Sequence, residues 1–292
     1  MAFYDEFEIA ARMYDLDTQR HVTSRTYEAF CWEGRFRLLE KAGLGIASLL
    51  EDEVRFLPEL SHCSFSREQM PGAPLKVRTW MSLRKDRQDW VQDICEMDGK
   101  LACRIASTTR TDPPGLDLQN AKWAQLTSSD AHDPESFIGG LPGDFQAPDN
   151  CETVRTQVRV GYSERTPFFD YGPATFWRII EEGRWGFSDA IGLDQKMIME
   201  LDTVTFFTSG TFRIFRQPVA GELLTIHTWV DRLEKIRCFL RSDVVDQSCD
   251  SVFSNVEEQL IVSLSRRRPR RAGPDFVHLI EKYLANMPSE SS

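Results

Sequence analysis

The chain has 292 residues, about twice the ~150 of an average domain, so it holds one long domain or two short ones. Hydrophobic residues at 41%, charged residues at 27%, 19 Phe and 7 Trp describe a packed globular protein and exclude a disordered one. The net charge of −10 argues against a general nucleic-acid binder. No apolar run approaches the ~20 residues that span a bilayer, and the acidic first ten residues do not resemble a signal peptide, so the expected location is cytoplasmic, away from membranes.

In chain order, an extended opening segment and a turn lead to a helix predicted over Ser24 to Ala42. Thr23 suits its N-cap and Gly43 its C′ position. Tyr27, Phe30, Gly34, Leu38 and Ala42 fall on one stripe that should face a sheet, with Gly34 marking a close approach of helix and sheet. Strands follow over Leu75 to Leu83, Trp90 to Met97 and Leu101 to Thr109, the last two joined by an Asp98-Gly99 hairpin. The stretch from Asp112 to Asn150, rich in Pro, Gly, Asp and Ser, is expected to be a linker.

The order then repeats. Glu33-Gly34-Arg35-Phe36 recurs as Glu182-Gly183-Arg184-Trp185, an offset of 149 residues. Without a gap, that offset also maps Gly43-Leu44 onto Gly192-Leu193, Arg67 onto Arg216, Gly72 onto Gly221, and Thr79-Trp80 onto Thr228-Trp229. A second helix is predicted over Pro173 to Ile191, with proline at its first position. Strands are predicted over Val204 to Phe207, Thr211 to Phe215, Leu223 to Leu233, Cys238 to Val245 and Glu257 to Ser265, and a closing helix over Asp275 to Leu284. Two tandem α+β modules are therefore expected, an antiparallel sheet wrapping one long helix in each: 1–112, a linker 113–150, 151–274, and a C-terminal helix and tail 275–292.

The seven cysteines are scattered and form no CxxC pair, so neither a disulfide framework nor a metal site is expected, and most should be half-buried thiols. No phosphate-cradling loop, dinucleotide fingerprint or HExxH is present. No cofactor is expected, and any chemistry rests on side chains and water.

The run Asp15, Leu16, Asp17, Thr18, Gln19, Arg20, His21, Val22, Thr23, Ser24 and then Tyr27 resembles the DxDxNxHVNNxxY segment of hotdog-fold thioesterases, most of all the acyl-ACP thioesterases and the 4-hydroxybenzoyl-CoA thioesterase group. Gln19 stands where that family has Asn, and Thr23 and Ser24 replace the two Asn that follow. Arg67-Glu68-Gln69 is similar to the Arg-Glu-Cys segment of plant-type acyl-ACP thioesterases, whose acidic residue belongs to the catalytic network. The resemblance implies a double hotdog, packed as a pseudo-dimer, that hydrolyses an acyl-ACP or acyl-CoA thioester. In the second copy Thr166, Phe168, Asp170 and Gln217 stand at the positions of Asp17, Gln19, His21 and Glu68, so one working site per chain is expected.

Thioester hydrolysis needs an activated nucleophile and donors for the oxyanion. Asp17 could deprotonate a water or attack directly, or else stabilise the turn as an Asx residue. His21 could donate to the carbonyl or relay a proton, or else cap or pack. Gln19 could hold the water or the carbonyl, or lie exposed in the turn. Glu68, read as lying on the strand after the helix, must project inward to act. The resemblance places the oxyanion at the helix start, at Thr23, Ser24 and Arg25 or at the neighbouring copy.

Arg266, Arg267, Arg268, Arg270 and Arg271 form a dense basic patch that could meet the phosphates of coenzyme A or an acidic carrier protein, or be a solvated strand end. Phe206, Phe207, Phe212 and Phe215 could line an acyl pocket or simply fill the core. A hotdog acyl dehydratase or hydratase and a non-catalytic acyl-binding protein are the rival readings, and an exposed sheet edge makes a homodimer plausible.

Overall fold

A computed structural model describes residues 3–16, 21–85, 87–113, 133–141 and 151–286. The chain divides into two compact units, Met1–Pro142 with Tyr162–Trp177, and Gly143–Gly161 with Arg178–Ser292. Tyr162–Trp177, which by sequence lies within the second copy, thus groups with the first unit.

The first unit contains β1 (Phe3–Ala10), α1 (Ser24–Lys41), α2 (Ile46–Glu51), β2 (Arg55–Phe65), β3 (Pro74–Arg84), β4 (Arg87–Glu96), β5 (Leu101–Asp112) and α3 (Pro134–Gly139). Its strands run antiparallel in the order β1-β3-β4-β5-β2. The Asp98-Gly99 turn joins β4 to β5, with Gly99 at a φ of 88° that a side chain would strain. Helix α1 packs on β1, β3 and β5, and the predicted stripe is buried throughout. Within the stretch after Asp112 that the sequence suggests as a linker, α3 packs on β3, β4 and β5. There Arg104 lies 5.7 Å from the Phe137 ring centroid and pairs with Asp93 through both oxygens, at 2.6 and 2.7 Å.

Gly34 is where α1 meets the sheet. A Cβ there would lie 2.6 Å from Thr79 Oγ1, 3.1 Å from Gln92 Nε2 and 3.2 Å from Phe7 Cε1. Ala would gain about 1 kcal/mol of helix propensity, but this contact forces overpacking that costs about 1–3 kcal/mol. We expect Gly34→Ala to be destabilising on balance, with a lowered urea midpoint at unchanged slope.

In the second unit α4 (Pro173–Ala190) continues from its first turns, followed by α5 (Gln195–Leu201), β7 (Val204–Ile214), β8 (Leu223–Leu233), β9 (Arg237–Val245), β10 (Ser251–Ser263), β11 (Arg268–Pro269), α6 (Pro274–Ile280) and β12 (Leu284–Asn286); β6 (Val154–Arg159) precedes them. The sheet order is β7-β10-β9-β8, with β6 antiparallel and β12 parallel along the free edge of β8. The closing helix is shorter than predicted because the chain turns back into the sheet: Leu284 pairs in parallel with Val230, at the place where Phe3 pairs antiparallel with Met81 in the first unit.

The offset of 149 carries α1 onto α4, β2 onto β7 and β3 onto β8 with identical bounds. Past the bulge between Val230 and Arg232 the second unit has one extra residue, and the offset becomes 150. Both sheets show it at the loop below the last hairpin: Arg67 N–H donates to Ala102 O at 3.1 Å, and Arg216 N–H to Val252 O at 3.2 Å. Cys31, Cys63, Cys95, Cys103 and Cys238 are buried free thiols, deeper than expected from sequence.

Burial pushes the His62 imidazole on β2 down to about 4. The unfolded chain binds that proton near pH 6.5, so stability is full above this value and declines as pH falls toward 4. The loss of urea midpoint between pH 7 and pH 4.5 should be smaller in His62→Gln than in the native chain.

Candidate active site

The site is built on the entry to α1. Arg12 and Asp15 pair across a short 3-10 turn at 3.0 Å, and an antiparallel bridge between Leu16 and Val22 ties together the two ends of the segment that carries the motif. Thr23 caps the helix as predicted, its Oγ1 accepting from Thr26 N–H at 3.2 Å, while Thr26 Oγ1 donates to Asp15 O at 3.0 Å. The helix start is thereby fixed to the turn before it. As at any helix start, the amides of Ser24 and Arg25 have no intrahelical acceptor. Asp17 and Gln19 lie outside the described residues.

His21 and Glu68 are brought together, His21 Nε2 standing 3.4 Å from Glu68 Oε2. Glu68 is not on a strand: it lies in the loop after β2, which lets its side chain reach His21 free of the alternation a strand imposes. The His21 side chain is 29% exposed and that of Glu68 69%, so the pair is open to solvent. A contact this exposed contributes at most about 1 kcal/mol to stability. Next to Glu68, buried Gln69 donates to Glu96 Oε1 at 3.0 Å and anchors the loop. Tyr27 of the motif packs in the core against Phe30 and Phe65; its burial, with Cys103, Cys63 and Glu96 nearby, pushes the phenol far above its ordinary range and keeps it protonated.

The corresponding turn of the second copy, which belongs to the first unit, is closed on itself. Thr166 Oγ1 donates to Asp170 Oδ1 and accepts from Phe168 N–H at 3.1 Å, and Thr166 N–H donates to Asp170 O at 2.9 Å. Burial raises the Asp170 carboxyl against the lowering effects of Thr166 and Arg55. Phe168, at the position of Gln19, stacks on Phe36 with centroids 5.7 Å apart. Where the first copy presents a histidine and a carboxylate to solvent, this one buries a carboxyl in a packed turn.

Of the basic patch, Arg270 is a structural residue: its guanidinium donates to Leu201 O at 3.2 Å and Asp202 O at 3.0 Å, closing the end of α5. Arg266, Arg267, Arg268 and Arg271 are exposed around the turn and strand that follow β10. Among the aromatic candidates for an acyl pocket, Phe212 is fully buried, Phe206 and Phe207 are partly buried, and Phe215 is 55% exposed.

A buried polar network that no motif announces lies below the helix that starts at the site. Glu28 Oε1 accepts from Arg35 Nη2 at 2.8 Å and its Oε2 from Ser61 at 3.0 Å. Arg35 Nε donates to Gln92 Oε1 at 2.7 Å, and Gln92 Nε2 to Cys31 O and Thr79 Oγ1 at 2.7 and 2.9 Å. The available signal was the spacing: Glu28 and Arg35 are seven apart, on one helix face.

The fold is similar to that of solved thioesterase structures. An acyl-ACP thioesterase from Bacteroides thetaiotaomicron matches with a TM-score of 0.59 at 12% identity, over 88% of this chain and 97% of that one. A 12:0-ACP thioesterase from Umbellularia californica matches with a TM-score of 0.65 at 11% identity, over 88% and 94%. No protein-family model matches the sequence, and no curated protein matches it. The chain has the α+β double hotdog fold that the motif implied.

Proposed function

We propose that the chain hydrolyses acyl thioesters carried on coenzyme A or an acyl carrier protein, at the His21–Glu68 site of its first unit. The observation that carries this reading is the contact of His21 with Glu68 at 3.4 Å, at the start of the long central helix and in the one copy that retains the motif. The acyl-ACP thioesterase structures of the same fold support the reaction class.

In the proposed reaction Asp17 takes a proton from water as a C–O bond forms between that water and the thioester carbonyl; in the direct alternative the Asp17 carboxylate forms the C–O bond, and the anhydride left when the C–S bond breaks is hydrolysed by water in a second step. The oxyanion is met by the first-turn amides of α1 at Ser24 and Arg25, with Gln19 holding the water or the carbonyl. His21, with Glu68 orienting the ring and balancing a positive imidazolium, delivers a proton to the sulfur as the C–S bond breaks. The products are a free acid and a thiol.

The test is thiol release from a panel of acyl-CoA and acyl-carrier-protein thioesters of varied acyl length. Release above the uncatalysed rate is the expected result. A panel left intact overturns the reading, and hydration of a 2,3-enoyl thioester without thiol release would replace it with the hydratase.

A further inference from the structure

We infer that Arg67 binds the phosphate of the thioester's phosphopantetheine arm, an inference that rests on the hydrolase reading and names the carrier end of its substrate. The two copies supply an internal control. Arg67 and Arg216 are equivalent, each on the loop after the second strand of its unit and each with its backbone N–H on the matching carbonyl, Ala102 O or Val252 O.

In the second unit the guanidinium is held by two carboxylates. Arg216 Nη2 lies 2.6 Å from Glu222 Oε1 and 2.7 Å from Asp246 Oδ2, and Nη1 also donates to Gln217 O at 3.1 Å. Such a pairing keeps Arg216 protonated and fixes its fork, a purely structural use.

In the first unit both latches are undone. Ala73 stands where Glu222 stands, at the end of the same turn: Ala73 N–H donates to Met70 O at 3.2 Å as Glu222 N–H donates to Val219 O at 3.0 Å. The position of Asp246 is occupied by Glu96, at the same step of the last hairpin, and Glu96 is taken up by Gln69 instead. Arg67 is left exposed, one residue from the carboxylate that meets His21. An arginine retained at this position without either of these hydrogen bonds, with Ala73 in place of one carboxylate, Glu96 taken up by Gln69 and the charge of Asp98 nearby, offers its fork to an anion from outside. Its exposure suits the carrier end of a thioester rather than the acyl end, and phosphate is the anion that acyl-CoA and an acyl carrier protein share.

The experiment measures kcat/KM for one acyl group on three carriers, coenzyme A, an acyl carrier protein and N-acetylcysteamine, the last without phosphate. In Arg67→Ala the preference for both phosphate-bearing carriers over N-acetylcysteamine should fall about tenfold, mainly through KM. Ala73→Glu, which restores one latch without touching Arg67, should lower the same preference.

An unchanged preference in both variants overturns the assignment, and so does a fall confined to the carrier-protein substrate, which would point to a protein surface. Calorimetric binding of coenzyme A against pantetheine separates this proposal from its parent. A native chain that cleaves none of the three thioesters sinks the hydrolase reading, whereas coenzyme A binding that Arg67→Ala leaves unchanged sinks this one.

Discussion

His21→Ala is expected to lower kcat/KM for a cleaved acyl thioester by about 10²-fold or more without unfolding the chain, and Asp17→Asn to lower it at least ~100-fold, about 2.7 kcal/mol of transition-state stabilisation. The separation of activity from stability follows from where the groups sit. His21 and Glu68 are partly open to solvent, and an exposed pair adds at most about 1 kcal/mol to the fold, so their removal should register in the chemistry. Asp170→Asn, at the position of His21 in the second copy, should do the reverse: it disturbs a buried turn closed by Thr166 and should lower the urea midpoint while leaving kcat/KM within about twofold. Rates on a thioester panel, read beside urea midpoints for the same variants, check both halves. Equal losses of activity from Asp170→Asn and His21→Ala would remove the case for a single site in the first copy.

The helices were legible because their ends carry strong local chemistry. Thr23 and Pro173 begin them, Gly43 and Gly192 follow them, and both predicted spans agree with the structure to one residue. The repeat was legible for the same reason, since turn glycines keep their places. Its constant offset of 149 ends where the second unit inserts one residue at a bulge in β8, a backbone event that leaves no composition signal. Strand β2 carries no clear strand pattern in the sequence: Pro58 interrupts its alternation, and the structure accommodates that proline beside a register shift between Pro58 and Leu60. Val204–Ile214 read as two strands, yet a bulge opposite Glu258 and Gln259 lets one strand run through Thr208 and Gly210.

In the site, the motif pointed to His21 and Glu68, but their meeting depends on a loop path set by long-range contacts such as Gln69 with Glu96 and Gly72 N–H with Ala11 O. The release of Arg67 could not be read from the sequence without the shift in offset, because a constant offset pairs Asp246 with Met97 and hides the true counterpart, Glu96.

The largest effect on stability is expected from the network beneath α1. Glu28 and Arg35 are almost completely inaccessible, and each carries a charge that water would otherwise solvate. Glu28→Ala leaves the Arg35 guanidinium buried with Gln92 as its remaining hydrogen-bond partner, and Ser61 loses its acceptor. Breaking a buried pair from one side costs about 3–5 kcal/mol, enough to unfold a marginal domain at 37 °C. Replacing both partners by apolar residues of similar volume, Glu28→Leu with Arg35→Met, removes the orphaned charge and should recover most of that loss. Urea unfolding of the single and double variants tests this directly, and a double variant no more stable than Glu28→Ala would show that packing around Arg35, rather than its unpaired charge, sets the cost. Because the proposed site stands at the start of α1, thiol release by the double variant also reads whether the network is needed to aim that helix start: a stable double variant with reduced kcat would assign Glu28 and Arg35 a positioning role, while unchanged kcat confines them to the core.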